Sequence, residues 1–139
     1  MSNWGDAIEG LKTVLQNGIT GLQVYTYPTD SVQHVPAAVV LPDRMDPERA
    51  FGGNTFEGRL RITFLIASGD SAEGFLQLYD YIDPTVANKS VIKAIRDDPT
   101  LNGKVDSSRV DVIENIGRRD IGGGFFGFDL ILEFIKSVA

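Results

Sequence analysis

A stretch of alternating residues decides the fold: TFEGRLRITFLI at positions 55–66. Its apolar residues stand at 56, 60, 62, 64 and 66, and its polar residues at 55, 57, 59, 61 and 63. Successive side chains of a β-strand point to opposite faces, so this period of two predicts a strand with one buried and one polar face. The pattern holds for about eleven residues, roughly twice the length of an ordinary strand.

The same alternation predicts further strands on both sides of this stretch. The last strand places apolar residues on one face, namely Phe126, Phe128, Leu130, Leu132 and Phe134. The strand before it carries an apolar face of Val110, Val112 and Ile116 against Arg109, Asp111 and Asn115. Towards the N-terminus, two short apolar runs at 22–27 and 37–41 lie next to Pro28 and Pro36. They predict two strands in a loose antiparallel pair.

Helical spacing predicts three helices. The first has an apolar stripe of Trp4, Ile8, Leu11 and Leu15, with Asn3 as its N-cap and Asn17-Gly18 as its end. The second is capped by Asp70 and turns inward Phe75, Leu78, Tyr79 and Ile82. The third is short, opens at Ser90 and turns inward Val91, Ala94 and Ile95.

These elements follow one another in the order α-β-β-β-α-α-β-β. Strands that are grouped, and not strictly alternated with helices, favour an α+β fold. We expect a single domain over residues 1–139, with a mostly antiparallel sheet of about five strands and two main helices and one short helix packed on it. Residues 42–54 combine charges, two prolines and a Gly-Gly pair, which predicts an exposed, mobile loop.

Composition excludes several classes of protein. With 42% hydrophobic and 23% charged residues in 139, the chain has the make-up of a globular domain. The absence of cysteine excludes disulfides, thiolate metal sites and a cysteine nucleophile. A net charge of −6 provides no general attraction to nucleic acid. No window is apolar enough for a membrane span, and the N-terminus lacks the features of a signal peptide. We therefore expect neither sequence-specific nucleic acid nor a membrane as partner.

Motifs that carry chemistry are missing from the sequence. Its one histidine, His34, lies between two predicted strands and is expected at the surface. The run GGGFFG at 122–127 has the spacing G-x-G-x-x-G, but it precedes a strand, whereas dinucleotide binding needs it between a strand and a helix. A flexible turn that lets Phe125 and Phe126 approach another backbone explains it better. The carboxylate pair Asp97-Asp98 could suggest acid–base catalysis, but it ends a helix ahead of Pro99, where a turn is the ordinary explanation. We predict no catalytic, cofactor or metal site, and no enzyme.

Surface residues outside these motifs are candidates for protein contacts. Ile131 and Ile135 stand on the nominally polar face of the last strand, where either a second helix or another subunit has to cover them. Arg118 and Arg119 precede the glycine run, where they are either solvated or paired across a subunit boundary. The remaining candidates lie in the 42–54 loop or next to the glycine run, and are Arg44, Asp46, Arg49, Phe51 and Phe125.

Three stretches together resemble one known family. The first is the opening helix leading to Tyr27-Pro28 and then VPAAVVLP at 35–42. The second is RLRITFLI at 59–66, followed by a helix around Leu76 to Asp83. The third is SVIKAI at 90–95, followed by DPTLNGKVD at 98–106. They span nearly the whole chain, which in this pattern resembles the tail terminator (tail completion) proteins of long-tailed bacteriophages.

The resemblance implies a structural protein without catalysis or cofactor. Such a subunit closes into a ring, usually a hexamer, on the end of the tail tube, stops tube polymerisation and provides the surface that joins the head. Its partners would be further copies of itself, the tail tube protein and the head–tail connector or neck proteins. It would act at the head-proximal end of the virion tail, after assembly in the host cytoplasm. The 42–54 loop is the candidate for docking onto these partners, and we predict that deletion of residues 43–53 leaves the fold intact but abolishes docking to tail tubes.

Two other functions remain open from the sequence. A head–tail neck or head-closure protein would bind the portal side and not the tube. A small cellular ligand-binding α+β module would need a pocket with converging polar groups.

Overall fold

The computed structural model describes residues 3–29, 32, 34–45, 55–68, 72–119 and 124–137. Within them the elements follow in the order α1 (Asn3–Gly18), β1 (Gln23–Tyr25), β2 (Ala37–Met45), β3 (Thr55–Ser68), α2 (Ala72–Ile82), α3 (Val91–Asp97), β4 (Ser107–Arg119) and β5 (Phe125–Ser137). The predicted α+β fold and the predicted order of elements are confirmed.

The two strands with the clearest alternation lie side by side in the sheet. Its strand order is β1-β2-β3-β5-β4. β3 pairs antiparallel with β2 and with β5, and β5 pairs antiparallel with β4. Ile62 stands opposite Leu130 and Phe64 opposite Phe128, so the apolar faces of β3 and β5 coincide. Their registers therefore build one continuous apolar surface across the middle of the sheet.

The prediction of an antiparallel first pair is wrong, because β1 and β2 run parallel. Gln23 stands opposite Ala37 and Val24 opposite Ala38, and the Gln23 amide donates to the carbonyl of Pro36 over 3.1 Å. A hairpin would instead have paired the residues closest to the turn. The apolar runs alone do not distinguish these arrangements, since both bury the same side chains.

The hydrophobic core lies between one face of the sheet and the three helices. The rings of Phe64 and Phe128 stack with their centroids 5.0 Å apart at the centre of this face. Towards the end of the sheet where β3 begins, Trp4 of α1 packs edge-on against Phe56 and Phe134. The apolar stripe of α1 therefore covers the sheet as its spacing predicts.

The junction after α1 depends on two glycines. The helix ends at Gly18, as predicted, but the residue with a left-handed backbone is Gly21, with φ +76°. Gly18 has another role, since a Cβ atom built there would come 2.6 Å from the Cβ of Ala94. The absence of a side chain at Gly18 thus lets α1 and α3 approach closely. Asn3, the predicted N-cap, is instead the first residue of the helix.

The helix α3 follows the prediction. The hydroxyl of Ser90 accepts a hydrogen bond from the amide of Lys93 over 3.1 Å, which is the geometry of an N-cap. Val91, Ala94 and Ile95 are buried. The start and the inward face of this helix are therefore confirmed.

The inward face of α2 differs from its predicted stripe. Its buried residues are Gly74, Leu78 and Tyr81, whereas Tyr79 is 51% exposed. Because a tyrosine has both an apolar ring and a polar hydroxyl, either of the two neighbouring tyrosines fits an inward position, and spacing alone chose the wrong one. Two predicted residues pack against the core as partly buried side chains, Phe75 and Ile82. Asp70, the predicted cap, lies outside the described residues.

The alternation predicted for β4 is also broken. Val110 and Ile113 pack against the core, while Val112 is 39% and Ile116 is 47% exposed. The register against β5 shifts once after Val110 and again after Glu114. Each shift inserts an extra residue and reverses the faces of the residues that follow, so a strict period of two fails here.

The predicted loop at 42–54 begins later than expected. β2 continues to Met45, and Pro42 and Arg44 pair with Leu60 and Arg59 of β3. Proline has no N–H to donate to a neighbouring strand, so within a sheet it is tolerated at an edge or a bulge. Pro42 lies at such a bulge, because the register against β3 shifts between Pro42 and Arg44. The prediction of a loop is thus wrong for 42–45, and residues 46–54 lie outside the described part of the chain.

Candidate functional site

The sheet has a second face, turned away from the helices. Leu60, Ile62 and Leu132 point into the core, so their strand neighbours point to the opposite side. We call this opposite side the outer face. The helices α1, α2 and α3 all pack on the core side, and none of them covers the outer face.

Eight charged side chains from four strands form a network on the outer face. We call them the charge cluster, and they are Asp43, Arg59, Arg61, Arg109, Asp111, Glu114, Asp129 and Glu133. The strand pairing brings them together, since β3 lies between β2 and β5 and β4 follows β5. The cluster has three arginines and five carboxylates and therefore a formal net charge of −2.

Arg61 is the centre of one half of the cluster. Its guanidinium contacts Asp43 at 3.1 Å, Glu114 at 3.1 Å and Asp129 at 2.9 Å. These partners belong to β2, β4 and β5, so a single side chain ties β3 to three other strands. The hydrogen bond to Asp43, and next the one to Asp129, raises the pKa of Arg61 above its ordinary value.

Asp129 is the buried member of the cluster, with 2% of its surface exposed. One carboxylate oxygen accepts hydrogen bonds from Arg61 Nη1 and Asn115 Nδ2, and the other accepts from Thr63 Oγ1, each over 2.9 Å. Asn115 has φ +54° and lies in the second register shift of β4. Asparagine tolerates this left-handed backbone better than most residues do. The bulge thus has a function in the cluster, because its asparagine donates to the buried carboxylate.

Arg59 and Arg109 form the other half of the cluster with two carboxylates. Arg59 contacts Asp111 at 2.6 Å and Glu133 at 3.5 Å. Arg109 contacts Glu133 at 2.9 Å and Asp111 at 3.7 Å. The Nε of Arg59 is buried and has no acceptor among the described residues. Two cations and two anions thus alternate around a square that joins β3, β4 and β5.

A cavity of about 280 Å³ opens beside this square. Residues 57–59 of β3, 107–109 of β4 and 133–135 of β5 line it, with Arg44 of β2 at its side. It lies at the end of the sheet where β3 begins and β5 ends. Ile135 in its lining is 40% exposed. The cavity therefore combines an apolar patch with arginines and glutamates.

Two of the predicted interface residues differ sharply in exposure. Ile131 is only 2% exposed, whereas Ile135 is 40% exposed. Ile131 stands in register between Arg61 and Val112, and the aliphatic part of an arginine can cover such a neighbour. Of the two explanations for these isoleucines, a covering helix is not found in the described chain. Ile135 is therefore the one of the two that offers surface to a partner.

The other predicted interface residues are dispersed. Arg44 is exposed beside the cavity. Phe125 is partly buried against a small cluster that contains Val32 and Leu65, at the opposite end of the outer face. Arg118 and Arg119 end β4, with side chains outside the described part. Asp46, Arg49 and Phe51 also lie outside the described residues.

The third residue of β5, Gly127, has a packing role. A Cβ atom at Gly127 would collide with the carbonyl oxygen of Phe64. Phe125 and Phe126 lie against another backbone as predicted, since they pair with Ser68 and Ala67 of β3. Gly127 is the position in this run at which that approach leaves no room for a side chain. Phe126 instead packs its ring edge-on against Phe75 of α2 over 5.3 Å. His34 is exposed, as predicted.

Sequence reasoning missed the charge cluster, although a signal for it exists. The polar faces of the two clearest strands carry Arg59, Arg61 and Thr63 on one side and Asp129 and Glu133 on the other. Pairing these two strands on their apolar faces would have brought the opposite charges together.

Among the described residues, no group of three or more His, Asp or Glu side chains is arranged to hold a metal ion. No helix in this part of the chain has the length and apolarity that crossing a bilayer requires. A comparison with models of known protein families finds no match, and a comparison with curated proteins finds no similar sequence.

Proposed function

We propose that this chain is a structural virion protein that forms a ring on the end of a phage tail tube. In this role it stops tube polymerisation and provides the surface that joins the head. The resemblance of three stretches to tail terminator proteins is the starting point. These stretches coincide with α1 to β2, with β3 and α2, and with α3 and the segment that follows it, in the order of the fold.

The observation that carries the proposal is the outer face of the sheet. The strands of the sheet are up to 14 residues long, and no helix of the described chain covers their outer face. The charge cluster joins four of these strands. Half-exposed apolar side chains, Val112 and Ile135, stand beside the charges. Interfaces between subunits combine apolar contacts with ordered polar groups in this way. An enzyme would need polar groups that converge on a substrate, whereas most charges here are paired with one another.

The mechanism would be steric and interfacial. A ring needs two different, complementary surfaces on each subunit, repeated around a closed rotation. One side of the ring would match the end of the tube. The other side would present a different surface, on which no further tube subunit can bind. Because each copy has a net charge of −6, DNA passing through the ring would be repelled and not retained.

The test is a tube-growth assay. Purified chain is added to growing tubes of a major tail tube protein, and tube length is measured by electron microscopy. We expect growth to stop at substoichiometric amounts, with a ring visible at the tube end. Tubes that lengthen as fast with the chain as without it would refute the proposal.

Single substitutions in the loop test whether it docks onto the tube. Arg49→Ala and Phe51→Ala change the segment expected to dock, and we expect them to weaken capping while the urea unfolding midpoint stays unchanged. The deletion of 43–53 is unsuitable, because it removes Asp43, which contacts Arg61 at 3.1 Å, and the paired residue Arg44. We therefore expect that deletion to destabilise the sheet.

The same experiment distinguishes the neck or head-closure alternative. A protein of that class would bind purified portal or connector rings and leave the tubes unchanged.

One observation favours the ligand-binding alternative, namely the cavity of about 280 Å³ with arginines and serines in its lining. A small ligand that binds only the folded state raises Tm, and above its Kd the stabilisation grows with the logarithm of the ligand concentration. A screen of small carboxylates and phosphates by thermal shift tests this, and Arg59→Gln should abolish any shift that the cavity causes.

A further inference from the structure

We propose that α2 of one copy docks into the cavity on the outer face of the next copy. This contact rests on the proposed function, because it supplies the subunit-to-subunit interface that a ring requires. The occupant of the cavity is thus a second copy of this chain. Three observations support it: the composition of α2, the lining of the cavity, and the placement of the two surfaces in the fold.

The outward side of α2 is apolar at its centre and acidic around it. Leu76 is 58% and Tyr79 is 51% exposed, and their spacing of three residues places them on one side of the helix. The ring of Phe75 packs edge-on against Tyr79 over 6.0 Å, which holds the tyrosine in place. The helix contains Glu73 and Asp80 and no basic residue. Asp80 lies 3.6 Å from the ammonium of Lys89, so Glu73 is the acid of α2 that this contact would use. Exposed tyrosines with an apolar neighbour are frequent anchors of protein interfaces.

The cavity is complementary to that surface. Ile135 provides a 40% exposed apolar contact in its lining. Its charged lining residues are Arg44, Arg59, Arg109, Glu57 and Glu133. Asp111 beside them also contacts Arg59 and Arg109, so the complementary charge is the exposed guanidinium of Arg109 and not a net positive lining. Arg109 is the most accessible of the ion-paired arginines here, with 69% of its side chain exposed. At about 280 Å³ the cavity lies just below the usual range for small-molecule sites and suits one or two side chains.

The two surfaces lie on different sides and at different ends of the molecule. α2 packs on the core side of the sheet near Phe126, the second residue of β5. The cavity opens on the outer face near Ile135, at the other end of the same strand. A contact between them joins unlike surfaces of two copies, so each copy keeps one free surface of each kind. Such a head-to-tail contact builds a ring when its rotation closes.

Disulfide trapping tests the contact directly, because the chain contains no cysteine. In the double variant Tyr79→Cys with Ile135→Cys, each copy carries one thiol on α2 and one in the cavity. The α2 thiol of one copy can therefore form a disulfide with the cavity thiol of the next. Under oxidising conditions, with and without tail tubes, we expect a ladder of covalent multimers that ends at the subunit number of the ring. Each single variant should give no species larger than a dimer.

A second pair serves as the matched control. Tyr27→Cys lies at a position that is 58% exposed and does not line the cavity. Combined with Tyr79→Cys it should give no ladder. Equal ladders from both double variants would mean random collision between thiols and would overturn the proposed contact.

Charge reversal adds a readout that does not depend on thiols. Glu73→Lys and Arg109→Glu should each lower the fraction of ring measured by light scattering or on tube ends. The proposed contact places Glu73 of one copy opposite Arg109 of the next, so the combined variant should recover a larger fraction of ring than either single variant. A combined variant at least as defective as the worse single variant would overturn the contact.

The outcomes separate this inference from the proposed function. Rings on tubes without the Tyr79–Ile135 ladder would refute the α2 contact and leave the tail terminator function standing. A ladder without any effect on tubes would support the contact and refute that function. Copies that do not associate even in the presence of tubes would refute both.

Discussion

Replacement of Asp129 tests whether hydrogen-bond geometry or charge holds the centre of the outer face. Asp129 is 2% exposed and accepts hydrogen bonds from Arg61, Thr63 and Asn115, each over 2.9 Å. In Asp129→Ala these three donors lose their acceptor. Arg61 still contacts Asp43 and Glu114, so it does not become an unpaired cation.

The expected loss follows from the number of bonds. A hydrogen bond contributes about 1 kcal/mol net, and somewhat more when one partner is charged. Three bonds, with Arg61 partly compensated, place the cost of Asp129→Ala at about 3 kcal/mol in the free energy of unfolding.

Asp129→Asn is the matched variant. The amide oxygen can accept from Arg61 and Asn115, while the amide nitrogen faces Thr63, whose hydroxyl can rotate to accept. The hydrogen bonds with these three described partners survive, whereas the negative charge is lost. We therefore expect a cost of about 1 kcal/mol, a third of that of the alanine variant.

Urea unfolding measures both costs from the midpoint and the slope. A result in which Asp129→Asn is as damaging as Asp129→Ala would refute the reasoning, because the charge and not the geometry would then dominate. An alanine variant within about 0.5 kcal/mol of the parent chain would also refute it, since the buried bonds would then contribute almost nothing.

Three further predictions concern single positions. Gly127→Ala places a Cβ against the carbonyl of Phe64, so the central strands have to move apart, and we expect a loss of Tm larger than any exposed glycine variant gives. Ser90→Ala removes the N-cap of α3 and should cost about 1 kcal/mol in urea unfolding, whereas Ser90→Thr should retain most of it. The hydrogen bond from Lys136 holds the pKa of Asp6 below its usual value of 3.8, so the ionised carboxylate stabilises the fold above that pH and loses this effect as the pH falls through the folded-state pKa. Asp6→Asn should thus lower Tm at neutral pH and change it progressively less below pH 3.8; an equal effect at all pH values would contradict this assignment.

Local pattern predicted those elements whose faces differ strongly in polarity. β3 and β5 followed from alternation, and α1 followed from helical spacing, because each has one side in the core and one in water. The same reasoning failed at β4, where two register shifts reverse the faces of Val112 and Ile116. A bulge is decided by what the strand must meet across the sheet, here Asn115 donating to Asp129, and not by the neighbouring residues in sequence.

The candidate site was less accessible to sequence reasoning than the fold. Arg61 and Asp129 are 68 residues apart in sequence, and only the pairing of β3 with β5 makes them neighbours. Similarly, no local signal sets the direction of β1 beside β2. Interface residues proposed from isolated apolar positions had mixed outcomes for the same reason, as the exposures of Ile131 and Ile135 show.

The order of strands in the sheet has a consequence for how the chain acquires its structure. β3 is joined on one side by β2, which precedes it closely, but on the other side by β5, which starts only at Phe125. During synthesis, β3 therefore waits with one long edge unpaired while α2, α3 and β4 are made. β4 waits as well, because among the described strands it pairs with β5 alone.

Contacts between such distant segments slow folding, and an unpaired apolar strand edge invites association with other chains. Chains that end before β5 should accumulate as aggregates and not as partly active domains. Completion of β5 would then act as the step that commits the whole sheet, so that folding is a single late event and not a sequence of stable intermediates.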